Sequence, residues 1–407
     1  MLIAVALQSV GNLAFHSLAG RSMTPTAYGA LGAVLAAMVM IGIPLSGLQV
    51  AASTTAAAQG RLTAATATHA LRWSAIAAFP AALAVALAAP AVRDWFHLAS
   101  TGDALLLAPY LFVSVLLAVA RGLLLGSGGT AAVAIGFVAG VTVRLGGLAL
   151  LGGASTSIAL LLTLAGEVTA LAVALVACRS MVTAGPGERL GLRRVTRSTL
   201  ALCGMFAFSS VDLLLARHHL AGAQSGDYVA AATVAKTVLA LPAAAMAVML
   251  PRLVAGWAAR RPGPALAQSL RLVGGTALLG GLVVAAVPGL VLQVLFGATY
   301  AGTGGLLRVL VAVATLTAVV SVGVHSSLAR GANLTLAVPW LGAGMEVALI
   351  ELHHGSGAQI ATISAASAVP TLLAVIAIEG VALLRVRRSQ RDARTAAANA
   401  APMLHRA

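Results

Sequence analysis

Seven ionisable side chains lie inside or at the edge of runs of Ala, Leu, Val and Gly: Arg144, Glu167, Asp212, Lys236, Arg308, Glu346 and Glu379. An ionised group at the centre of a hydrocarbon layer costs about 2.5–3.5 kcal/mol on insertion scales, so each needs a partner or a wet cavity. The stretch SSVDLLLARHHLAGAQSGDYVA (209–230) sets Asp212 five residues before a polar turn, and Lys236 follows that turn by eight. In two antiparallel helices rising about 1.5 Å per residue, their depths differ by only about 5 Å. They are expected to form an ion pair or to share a hydrated pocket. Lys236 is the only lysine in the chain. Arg144 and Arg308 have no acid within a helical turn, and a guanidinium is a planar, permanently charged fork that suits phosphate oxygens. Arg144, Asp212, Lys236 and Arg308 are therefore candidates for lining a substrate cavity. Glu167 and Glu346, each near the middle of its run, are candidates for carrying a proton or a sodium ion. Blander readings stay open. Asp212 and Lys236 could simply neutralise each other, Arg308 could snorkel to an interface, and Arg144 could pair with Glu167.

The elements that hold these groups follow from composition. The chain has 407 residues, 60% hydrophobic and 9% charged, with a mean hydropathy of +1.00. A soluble domain carries about 25% charged residues, so this chain cannot cover itself in water. Helices of about 20 apolar residues cross about 30 Å of hydrocarbon, and twelve runs qualify. The net charge of +15 is dispersed between apolar runs with no compact basic domain, which argues against nucleic acid as a partner. Cys178 and Cys203 stand apart, without a CxxC or a Cys/His cluster, so no metal, disulfide or cofactor is expected. The start, MLIAVALQSVGNLAF, lacks a basic leader and reads as a retained first helix.

Orientation follows from the basic residues. Of the 25 lysines and arginines, only Arg21, Arg93 and Arg217 fall in outer loops when the N-terminus is placed inside. Arg144, Lys236 and Arg308 lie within spans, and the rest collect in inner segments. Both termini are thus expected in the cytoplasm of a multi-pass cell-membrane protein. The predicted organisation is an N-terminal six-helix bundle over 1–180, a basic cytoplasmic linker over 181–198 and a C-terminal six-helix bundle over 199–385. A basic, disordered cytoplasmic tail over 386–407 follows.

The halves show an internal echo. Tyr28 answers Tyr228, Phe96 answers Phe296, and Gly126 answers Gly331, each in the same place in its half. Pro44 and Pro242 lie deep in the second span of each half, where a missing backbone donor kinks a helix. They are the hinge candidates. Six spans followed by six of equal orientation make parallel repeats, which place a central cavity between two bundles.

Several stretches carry a resemblance in order along nearly the whole chain: TPTAYGALGAV, SVDLLLARH with GDYVAAA, VMLPRL, LFGATYAGTGGLLRVL and HHGSGAQIATISA. In these the sequence resembles the polysaccharide-flippase branch of the MOP (multidrug/oligosaccharidyl-lipid/polysaccharide) exporter superfamily, which is MATE-like. The resemblance implies an all-α membrane protein, with about 12 transmembrane helices in two parallel-repeat six-helix bundles around a central cavity. It also implies a flippase that moves a lipid-linked oligosaccharide or polysaccharide precursor to the outer leaflet by alternating access. The implied partners are a polyprenyl-diphosphate-linked glycan, membrane lipids and a coupling proton or sodium ion. The first span lacks the strong charges that several relatives carry there, which leaves the cargo open. Alternatives are a cation-coupled drug or metabolite antiporter of the same superfamily, and a non-transporting scaffold. An enzyme is not expected, because no loop is large enough to build a catalytic site. RGLLLGSGGT lacks the G-K-[ST] ending of a phosphate loop and reads as a tight turn, and ELHHG (351–355) lacks metal-ligand spacing.

Overall fold

A computed structural model describes residues 2–151, 155–187, 196–220, 222–332 and 334–404. Part of the expected linker (188–195) and the last three residues of the tail lie outside the described residues. Backbone polar groups in hydrocarbon must be paired within their own segment, and the chain is accordingly helical. Its first half comprises α1 (Leu2–Ser22), α2 (Pro25–Gln59), α3 (Ala64–Leu87), the short α4 (Ala89–Trp95) and α5 (Thr101–Leu105), α6 (Leu107–Gly126), α7 (Thr130–Leu150) and α8 (Thr156–Met181). The second comprises α9 (Thr196–His219), α10 (Ala223–Val238), α11 (Ala240–Ala258), α12 (Pro262–Ser269), α13 (Gly275–Ala286), α14 (Pro288–Phe296), α15 (Gly304–Arg330), α16 (Leu334–Leu352) and α17 (Gly357–Leu404). A π-helical turn joins α12 to α13, and a 3-10 turn precedes α15.

Among the described residues, eleven helical segments are long and apolar enough to cross a membrane. α1 adds 21 residues, about 31 Å at the usual rise, and stands as the twelfth. The protein is a multi-pass membrane protein. Twelve crossings return the chain to the side on which it starts, called here the terminal face; the opposite side is the far face.

The two halves repeat one plan. α6 packs against α2, α3 and α8 in the first, and α15 packs against α10, α11, α13 and α17 in the second. The motif residues shape the helix starts. Thr24 caps α2 through the Ala27 N–H at 3.3 Å, with Pro25 at the first helical position. α10 starts after Gly222, whose φ of 53° suits a residue without a Cβ. Tyr28 and Tyr228 then point inward from the first two turns of these helices, each 0% exposed. Phe96 and Phe296 close the corresponding short helices α4 and α14, and both are buried.

The bundles are sealed at the far face. α2 meets α9 and α10, and α1 meets α14 and α10. Phe15, Tyr28, Tyr228, Phe296 and Tyr300 belong to one buried cluster drawn from both halves. A Cβ at Gly226 of α10 would lie 2.0 Å from the Pro25 carbonyl oxygen of α2, so the two backbones are in contact. Towards the terminal face each remaining buried cluster belongs to one bundle only: Ala52, Leu62, Leu123 and Cys178 in the first, Met249, Leu253 and Val322 in the second. α2 and α9 continue as a seam there, with Gly47 against Thr199.

Three expectations change in detail. Pro242 is the third residue of α11, directly after a break at Leu239 whose N–H turns back to the Lys236 carbonyl at 3.1 Å. Proline offers no N–H to the Val238 carbonyl, so the helix restarts. Pro44 lies instead on the exposed side of an unbroken α2. The left-handed glycine matching Gly331 (φ 78°) is Gly128 (φ 86°), because Gly126 is still helical. Residues 386–404 of the tail, expected to be disordered, continue α17 as helix to Leu404.

The α2–α10 approach is testable. We expect Gly226→Ala to lower the thermal midpoint in detergent by several degrees, as overpacking costs about 1–3 kcal/mol. Gly305→Ala, with nothing within 4 Å of its added Cβ, should not. Equal midpoints would remove the close approach from the account.

Candidate functional site: a cationic cavity between the bundles

Two adjoining cavities, of about 290 and 340 Å³, lie inside the first bundle and between the two bundles. Each is near the lower end of the roughly 300–1,000 Å³ typical of ligand sites. They share Ser9, Asn12, Val39, Tyr110, Arg144, Thr163 and Glu167, and so form one continuous space. The first adds Arg121, and the second adds His16, Ser210 and Lys236.

α7 carries Arg144 to the centre. Its Nη2 donates to Asn12 Oδ1 of α1 at 2.5 Å, and its guanidinium carbon lies 4.4 Å from the centroid of Phe15. Arg121 sits over Phe137 at the same distance, 4.4 Å. Cation–π contacts fix both groups at the wall while leaving their donors to the cavity. Glu167 of α8 feels both arginines electrostatically, but no direct ion pair joins it to Arg144 among the described residues. Three basic side chains, Arg121, Arg144 and Lys236, thus face one acid. The lining is net positive.

Lys236 projects from the last turn of α10 and donates to Ser210 Oγ at 3.2 Å. It also lines a second, small void of about 20 Å³ with Ser209, Asp212 and Thr317, room for about one water. Asp212 makes no direct ion pair with Lys236 among the described residues. Its Oδ2 accepts from the Tyr228 hydroxyl at 2.8 Å, and its Oδ1 is buried without a partner. The two side chains share this pocket rather than a contact. Glu346 of α16 lies within electrostatic range of both and is 1% exposed, with neither carboxyl oxygen hydrogen-bonded.

Arg308 does not line the cavity. It is exposed near the far face and donates from Nε to the Ala285 carbonyl at the end of α13, at 3.1 Å. Glu379 belongs to a closed network near the terminal face. It pairs with Arg330 at 2.8 Å and accepts from Ser326 and Ser327 at 2.8 and 2.6 Å, while Trp257 donates to Ser326 at 3.0 Å. This ties α11, α15 and α17 together. Of the ELHHG histidines, His354 joins a stack, lying 3.9 Å from His219, which reaches Glu351 at 3.3 Å.

Sequence reasoning missed Arg121, Asn12, His16 and Tyr110. Arg121 had been assigned to an inner segment because the apolar run stops beside it, yet α6 continues to Gly126. Asn12 and His16 stand four residues apart, one face of a helix, and that spacing was the available signal.

No protein-family model matches the chain, and no curated protein sequence matches it. Solved structures do. An inward-facing multidrug-resistance MATE family transporter of the MOP superfamily aligns with a TM-score of 0.75 at 16% identity, over 94% of this chain and 96% of that one. The lipid II flippase MurJ, in an inward closed conformation, aligns at 0.75 with 9% identity, over 92% and 86%. An outward-facing MATE transporter aligns at 0.62 with 19% identity, over 96% and 93%. The chain has the MATE- and MurJ-like transporter fold. At these identities the likeness speaks for architecture: two helical bundles facing each other across a central cavity.

The Arg330–Glu379 network yields a stability test. Arg330→Met alone strands a buried carboxylate, which costs about 3–5 kcal/mol, so chemical denaturation should reveal a large loss. The double variant Arg330→Met with Glu379→Leu should recover most of it. No recovery would mean that packing, not charge, holds this corner.

Proposed function

We propose that the protein is a flippase that carries a lipid-linked oligosaccharide or polysaccharide precursor across the plasma membrane by alternating access. The observation that carries this reading is the cationic wall made by Arg121, Arg144 and Lys236 in the central cavity. A sugar diphosphate cannot cross hydrocarbon unaided, because its polar groups would lose water without replacement. Guanidinium forks fixed over Phe15 and Phe137 offer phosphate oxygens the charge-assisted bonds that water gave. The prenyl tail stays in lipid beside the bundles. With the far face sealed, cargo enters from the terminal face, which we take to be cytoplasmic along with both termini.

The second bundle supplies the coupling in this reading. Lys236 lines both the central cavity and the small void that holds Asp212. An anionic headgroup in the cavity draws the lysine towards itself. Asp212 and Glu346, with their unpartnered oxygens, then lose their nearest cation and take up a proton or a sodium ion. Glu167 is a second candidate for that role in the first bundle. Those same buried acids favour the alternative of a cation-coupled drug or metabolite antiporter, since such exchange needs a carboxylate the coupling ion can reach.

Reconstitution separates these readings. Vesicles holding a fluorescent polyprenyl-diphosphate oligosaccharide should show the label reaching the far leaflet, with Arg144→Ala slowing it about tenfold or more. Exchange of a cationic dye for protons or sodium, with no movement of labelled lipid, would establish the antiporter instead. Absence of both would leave a scaffold.

The break at Leu239 adds a prediction. Because only the second bundle's helix restarts at its proline, Pro242→Ala should reduce the initial rate severalfold. Pro44→Ala should leave it near that of the parent. Equal rates in both variants would remove proline hinging from the mechanism.

A further inference from the structure

Arg21, Arg93 and Arg217 are the three basic residues that the charge pattern assigns to the far face, and the cavity uses none of them. Arg93 is held by its neighbour Asp94 at 2.5 Å, within its own bundle. The other two cross between bundles. Arg21, in the last turn of α1, donates from Nε to the Leu295 carbonyl at 3.1 Å and from Nη2 to the Val294 carbonyl. Ser17, one turn earlier, donates to Leu295 as well. Both acceptors lie in the last turn of α14, where carbonyls have no partner in their own helix.

Arg217 does the same in reverse. From the last turn of α9 it donates through Nε to the Phe96 carbonyl at 2.7 Å and through Nη2 to the His97 carbonyl at 2.8 Å. Its Nη1 reaches Ser225 Oγ at 2.8 Å. Phe96 and His97 follow directly on α4, and His97 adopts a left-handed φ of 48°. Beside this contact Trp95 and His218, again one from each bundle, stack 3.8 Å apart.

The two arginines occupy equivalent places in the repeat. Arg21 follows His16 by five residues, as Arg217 follows Asp212. His16 Nδ1 lies 3.1 Å from the Tyr28 hydroxyl, and Asp212 accepts from the Tyr228 hydroxyl at 2.8 Å. Each bundle's first helix thus grips the frayed end of the other bundle's short helix. A cation at a helix C-terminus also meets the negative end of the macrodipole.

We propose that Arg21 and Arg217 are reciprocal clasps that hold the far face shut, and that both let go when that face opens. The inference rests on the two-bundle fold and not on the cargo. Opening exchanges each arginine–carbonyl bond for bonds to water, so neither charge is stranded. Arg217 is 3% exposed and makes three bonds, whereas Arg21 is exposed, so Arg217 contributes more.

The test reads distance, not transport. With Cys178 and Cys203 replaced, spin labels at Ala99→Cys and His353→Cys, both exposed near the far face and one on each bundle, report separation by pulsed EPR in nanodiscs. Arg217→Ala should enlarge the long-distance population more than Arg21→Ala does. The pair together should raise the open-to-closed ratio about tenfold or more. Arg93→Ala should match the parent. An unchanged distribution in the double variant, or an equal shift from Arg93→Ala, overturns the clasp. If Arg217→Ala does not yield folded protein, Arg21→Ala and Arg217→Lys decide: a shift in each supports the proposal, and no shift in Arg21→Ala ends it.

Discussion

Two helix backbones touch where α2 passes α10, at Pro25 and Gly226, and the arrangement of the bundles depends on that contact. A side chain at this position would hold the helices apart, and the aromatic cluster beneath would not close. With the backbones together, Tyr28 and Tyr228 fall on either side of the crossing, and Phe296 packs 5.6 Å from Tyr28. The far face is closed for that reason. The cavity arginines and Lys236 then line the space that opens away from the crossing.

The halves share a plan and divide the chemistry. In the first, α1 offers a histidine to the tyrosine of the next helix; in the second, α9 offers an aspartate to its counterpart. That substitution, with Glu346 nearby, gives the second bundle a buried acidic pocket. The first bundle holds the cavity arginines, Arg121 and Arg144. Lys236 stands between them, facing the cavity on one side and the acids on the other. Asymmetry within a duplicated scaffold separates a region that favours anions from one that favours cations.

Much of the fold was legible because hydrocarbon allows few solutions: long apolar runs are helices, and six plus six of equal direction make parallel repeats. The tyrosine and phenylalanine echoes were legible for a related reason, since large rings at helix ends have one interior to fill. Side-chain partners were harder. Depth along a helix brought Asp212 and Lys236 to the same level, but azimuth decides contact, and Asp212 turns to Tyr228 instead. Arg308 follows the blander of its two readings, because its helix begins near the far face, where a carbonyl of α13 is closer than the cavity. Arg121 was missed because an apolar run and a helix need not end together. The motif prolines looked alike in sequence, yet only Pro242 coincides with a break.

The length of α17 has a mechanical side. Its 48 residues make a rod of about 72 Å, more than twice the hydrocarbon thickness. Gln390 ties the projecting part to the Arg260 carbonyl at the α11–α12 corner, at 2.5 Å. Any swing of the second bundle therefore sweeps the rod's free end through a wider arc than the bundle itself travels. A fluorophore fused beyond the chain's end would act as an optical pointer, magnifying motions too small to follow at the cavity.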